Sequence, residues 1–167
     1  MIFFKQRSFT ADDVQKIVVR VATDEANTVS NRDIPDICME HMVAVMLLDK
    51  TVTFQSVHDK ARMKDPAVLR VRSKVEVLAD PRIDARRPRR EAIVELTLND
   101  GTQLSEWVRD VRGTADNPMT REEVVDKARD LIAPVLGASV CKALLDKLLA
   151  LENLKDVREL RPVLQRS

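Results

Sequence analysis

Between Asp36 and Leu48 almost every residue is apolar, and only Glu40 and His41 interrupt the stretch. Met39, Met42 and Met46 recur at helical spacings, so the segment predicts a helix rather than a strand. A helix apolar on most of its sides has no face to give to water and belongs inside a protein. Its uninterrupted run, Met42 to Leu48, is too short to cross a bilayer. The rest of the fold must therefore wrap around this element. A chain of 167 residues can bury a core of that kind without a metal or disulfide staple. With aromatics at 3% and no tyrosine, that core is aliphatic.

The flanking segments supply the wrapping. Lys16 to Ala22 is short and β-branched and reads as a strand. Asn31-Arg32-Asp33 offers turn and cap residues ahead of the apolar helix, with Pro35 suited to its first turn. Thr51 to Phe54 reads as extended and Val57 to Met63 as helical, and Asp65-Pro66 opens a further short helix through Val71. Lys74 to Leu78 alternates like a half-buried strand that Asp80-Pro81 stops. Ala92 to Leu98 and Thr102 to Val108 are strands joined by Asn99-Asp100-Gly101, the strongest hairpin signal in the chain.

After residue 119 the pattern changes. Thr120-Arg121-Glu122-Glu123 is a capping box, in which threonine and glutamate satisfy each other's free amides. Val124, Ala128, Leu131 and Val135 then share a helical face until Pro134 and Gly137 end the run. Val140, Leu144, Leu148 and Leu151 mark a second amphipathic helix, and Val157, Leu160 and Leu164 a short third one. The fold class read from this is α+β: a small domain, residues 1–119, with a mainly antiparallel sheet packed on the buried helix, then a helical extension, residues 120–167.

Lysine and arginine number 28 against 27 aspartates and glutamates, so the net charge of +1 exerts no general pull on nucleic acid or membranes. Cys38 and Cys141 match neither a metal spacing nor a redox motif and read as small buried hydrophobes. The apolar run after Met1 is too short for a signal peptide, which makes the cytoplasm the expected compartment. Neither a cofactor nor a metal is expected.

Three ordered stretches resemble the C-terminal part of the MmgE/PrpD family. His41 to Asp49 is similar to a family helix ending in A-x-x-L-L-D-G; Val77 through Asn99-Asp100-Gly101 is similar to its strand and hairpin region. Arg112 to Thr120 resembles the family's G-x-x-x-N-P-[LM]-T loop. The resemblance, running from about Phe9 onward, implies metal-independent enzymes of di- and tricarboxylates: 2-methylcitrate dehydratase (propionate metabolism), cis-aconitate decarboxylase and iminodisuccinate epimerase. It also implies an active site between a large helical domain and a smaller α+β domain. This chain matches the small domain and terminal helices, so the expectation is an incomplete site. The alternative is a truncated or split non-catalytic module that self-associates, as a dimer, or pairs with a helical partner.

The resemblance places His41 where the family often carries tyrosine, in Cys38-Met39-Glu40-His41 against S-x-x-Y. Removing a proton beside a carboxylate and expelling hydroxide or carbon dioxide both need a positioned acid or base, which histidine can be. His41 is thus the candidate catalytic residue. Read without the family, it is a core histidine bonded to a neighbouring carbonyl. His58 reads as a surface or capping residue near a helix start, and Arg82, Arg86, Arg87, Arg89 and Arg90 as a solvated loop. The implied ligand is a citrate-like polycarboxylate, with no nucleic acid or membrane partner.

Overall fold

The computed structural model describes residues 7–86 and 88–165, and Arg87 of the arginine-rich stretch lies outside them. The chain divides into two compact units, residues 1–111 and 112–167. The first holds a four-stranded mixed sheet of order β2-β1-β3-β4, made of β1 (Val14–Val21), β2 (Val75–Ala79), β3 (Ala92–Leu98) and β4 (Gln103–Val108). β1 runs parallel to β2, pairing Ile17 with Val75, and antiparallel to β3, which pairs antiparallel with β4. Two of the three pairings are antiparallel, and the α+β expectation holds.

A β-bulge lies between Val14 and Lys16 on β1. The extra residue restores the alternation, so that Val14 joins Ile17, Val19 and Val21 on the buried face. Against that face pack α1 (Thr23–Val29), α2 (Met39–Asp49) and α4 (Pro66–Arg72), with α3 (Phe54–His58) and α5 (Pro81–Asp84) as short connecting turns. Ala44, Val45 and Leu47 of α2 are buried in one cluster with Ile17, Leu96, Val68 and Val71. The apolar helix is therefore a central part of the core.

The structure corrects several boundaries. α2 starts at Met39, because Pro35 opens a separate 3-10 turn, Pro35–Ile37, and Cys38 is extended. α1 is unforeseen by the sequence reading. Its first residue is held by the Asp84 carboxylate, which accepts from the Thr23 amide at 2.8 Å and its hydroxyl at 2.5 Å. Phe54, read as extended, begins α3, whose N-cap is Thr53. Asp80 ends β2 as expected but also caps α5, accepting from the Arg82 amide at 2.9 Å.

The second unit contains α6 (Arg121–Leu136), α7 (Ala138–Leu149) and a 3-10 segment, Val157–Val163. The Thr120–Glu123 capping box forms as expected. Pro134 lies inside α6 instead of ending it, and Gly137 (φ +82°) makes the break. Cys141, Leu144, Leu145 and Leu160 are buried. Val124, Leu131, Val135, Leu148 and Leu151 are exposed. No helix among the described residues is long and apolar enough to cross a membrane.

Candidate functional site

The first turn of α2 carries two buried polar side chains in succession, Glu40 and His41. Glu40 is fully engaged. Its carboxylate accepts from the Ser30 hydroxyl at 2.9 Å, from the Asn31 amide at 2.9 and 3.0 Å, and from the Cys38 thiol at 3.3 Å. Burial works to raise its pKa, but the Asn31 amide and its other donors outweigh that and hold it below the usual carboxylate range. Glu40 is thus an anion that fastens the turn after α1 to the start of α2. Burial raises the Cys38 thiol, in keeping with a small hydrophobe.

Asn31 sits in the left-handed region (φ +50°), which asparagine tolerates better than most residues. The Glu40 carboxylate grips its amide, and its side-chain oxygen accepts from Arg72 at 2.8 Å. Arg72 is the last residue of α4, so one chain of hydrogen bonds links α4, the Asn31 turn and α2.

His41 has 0% of its surface exposed. Neither ring nitrogen has a hydrogen-bond partner among the described residues, so the carbonyl bond expected of a core histidine does not form. Burial pushes its pKa down, the charges of Arg72 and then Arg62 push it further, and Asp59 opposes them. The imidazole is therefore neutral near pH 7, one nitrogen able to donate and the other to accept. A buried polar group left unpaired costs roughly 1–3 kcal/mol, so its retention calls for an explanation beyond packing. Arg62 binds Asp49 through an outer nitrogen at 2.5 Å, while its buried Nε has no partner among the described residues.

The other polar candidates are structural. His58 closes α3 instead of starting a helix. It is exposed, with Nδ1 2.7 Å from the Phe54 carbonyl and Nε2 3.9 Å from the Asp36 carboxylate. The arginine stretch is not simply solvated. Arg86 donates to Glu91 at 2.9 Å, and Glu91, buried at 2% exposure, also accepts from the Trp107 indole at 2.8 Å. Burial tends to raise the Glu91 carboxyl, but Arg86 and Trp107 keep it low. Arg86 and Arg109 both lie over the Trp107 ring, 5.1 and 4.7 Å from its centre. Arg82 returns to Asp80 at 2.7 Å, and Arg89 and Arg90 are exposed.

Asn31 lies in a turn as expected, but its link to Arg72 and the roles of Glu40, Arg62, Arg72 and Glu91 escaped the sequence reading. A usable signal existed for Glu40, since a carboxylate on an otherwise apolar helix must be buried with donors. Nothing local marks the pairing of Asn31 with Arg72, which meet only through the packing of α2 and α4. Among the described residues no group of three or more His, Cys, Asp or Glu side chains could hold a metal ion.

Fold and site together describe a small α+β domain with one buried, unpartnered imidazole at a helix start, followed by a separate helical unit. The chain belongs to the MmgE/PrpD family: residues 3–152 match the family's MmgE/PrpD C-terminal domain. No curated protein matches the chain closely enough to be set beside it.

Proposed function

We propose that this chain forms the small-domain side of a cytoplasmic lyase that removes water or carbon dioxide from citrate-like polycarboxylates. The observation that carries the reading is His41, a neutral imidazole with both nitrogens unpartnered, in a family position that the resemblance gives to an acid or base. His41 takes or returns the proton beside the scissile bond, or orients the group that does. Complementary acid and base groups come from a helical domain. Substrate contact requires the ring, covered in this structure, to be uncovered when the site is assembled. Purified alone, the chain should give no unsaturated product from citrate or 2-methylcitrate by ultraviolet absorbance. Assembled with a helical domain, it should lose roughly 10²–10⁴-fold in turnover on His41→Gln. Full turnover by that variant, with its fold intact, refutes the role of His41.

A second reading, a non-catalytic binding module, draws on α6, where Val124, Leu131 and Val135 leave an apolar stripe exposed. Such a stripe suits a helical partner or a second copy in a dimer. Sedimentation tests the dimer: Val124→Glu with Val135→Glu should make an associating chain monomeric. A wild type that is monomeric at tens of micromolar removes that form of the reading.

A further inference from the structure

We propose that Arg72, held by Asn31, which is in turn pinned by Glu40, is a positioning residue that keeps His41 in its neutral, proton-accepting form. The inference rests on the reading of His41 as the acid/base group and adds how its protonation is controlled. A guanidinium at the end of a helix normally ranges through solvent, and its effect on a neighbour is averaged and screened. Arg72 is not free in this way, because its Nη2 donates to the Asn31 side chain at 2.8 Å. Asn31 cannot drift either, since both Glu40 oxygens hold its amide within 3.0 Å and Ser30 joins the same carboxylate. The cation is thereby tied, through two links, to the residue that precedes His41 on α2.

The groups around His41 leave this cation weakly opposed. On its own helix Glu40 is negative, but the Asn31 amide, the Ser30 hydroxyl and the Cys38 thiol all converge on its oxygens. On the 3-10 turn Asp36 faces His58, and on β2 Glu76 pairs with Lys16 at 2.8 Å. Arg62, on the segment before α4, adds a second positive charge, itself joined to Asp49. Asp59 remains as the acidic group that favours the imidazolium. His41 also stands in the first turn of α2, where the positive end of the helix dipole opposes a proton on the ring. Protonation would therefore place a third cation in a closed site without a hydrogen-bond acceptor for it among the described residues.

Because the sequence has two histidines, ring nuclear magnetic resonance of the labelled chain reads both directly, and His58→Gln assigns them. Arg72→Gln should raise the midpoint of the His41 titration by about half a pH unit or more, roughly a threefold gain in proton affinity. Arg72→Lys, which keeps the charge, should restore most of the low midpoint. Asn31→Gly, which keeps the left-handed backbone and releases the guanidinium, should shift the midpoint upward by a smaller amount. Arg70→Gln, which removes an exposed charge paired with Asp12, should leave it unchanged. An unmoved midpoint in Arg72→Gln, or an equal shift in Arg70→Gln, overturns the proposal. If Arg72→Gln does not fold, Asn31→Gly decides, and an unmoved midpoint there overturns it. The titration needs no turnover, so loss of the catalytic reading, through a fully active His41→Gln enzyme, would be recognised separately.

Discussion

Replacing Leu47 by alanine tests whether α2 is the central support of the first unit. Leu47 is 1% exposed and clusters with Val45, Ile17, Val68 and Leu96, so the substitution removes three carbons from a closed interior. At about 0.8 kcal/mol per buried methylene the transfer loss is about 2.4 kcal/mol. Leu47 is held on both sides, by the sheet and by α4, which limits collapse around the void, and the cavity brings the total to about 3–5 kcal/mol. Trp107, the single tryptophan, lies on β4 in the same unit, so its emission during urea unfolding follows that unit. With a denaturant slope of about 2 kcal/mol per molar, the midpoint should fall by roughly 1.5–2.5 M. Leu69→Ala on α4, at a side chain 44% exposed, should cost under about 1 kcal/mol. Equal, small losses for both variants would show that α2 does not hold the core together.

The depressed His41 pKa makes folding pH-dependent. The unfolded chain binds this proton more readily, so stability is complete above about pH 6.5 and declines as pH falls below it. His41→Leu should flatten that decline in urea midpoints between pH 7 and 5; an unchanged slope would exclude His41 as its source. At lower pH, Asp80 and Asp100, both held at about 2, should withdraw stability as pH falls below their unfolded values. Asp80→Asn and Asp100→Asn should each reduce that acid loss, measured by the same midpoints. Thr120→Ala should cost about 1 kcal/mol of helix stability, seen as faster amide exchange in the first turn of α6. Leu144→Glu, at a buried side chain, should unfold the helical unit by circular dichroism, whereas exposed Leu148→Glu should not.

Elements whose causes lie within a few neighbouring residues were legible in the sequence. Asn99-Asp100-Gly101 names its own turn, with Gly101 at φ +84° as a tight hairpin requires, and the capping box announces α6. The apolar composition of α2 identified a core helix because burial is the one stable solution for such a surface. What escaped depends on partners far along the chain. α1 lacks a cap from its own N-cap residue and relies on Asp84. The parallel alignment of β1 with β2 follows from the path of the intervening helices. His41 could be singled out as a position, but its lack of partners and its coupling to Arg72 arise only when α2 and α4 pack. The arginine stretch looked uniform, yet Arg86 is distinguished by Glu91 and Trp107, supplied by β3's approach and by β4.

The place of β1 in the middle of the sheet has a consequence for how the protein is made. It leaves the ribosome before the other three strands of its sheet, yet both of its edges wait for later partners, Val75 on one side and Leu98 on the other. Until translation has passed Leu98, a β-branched ribbon remains open on at least one edge, available to other nascent chains. The apolar helix α2 emerges in that interval with no sheet to rest on. Synthesis at roughly 5–20 residues per second leaves this window open for seconds, which adds an aggregation hazard to the stretch from Val14 to Leu98 while it is being made.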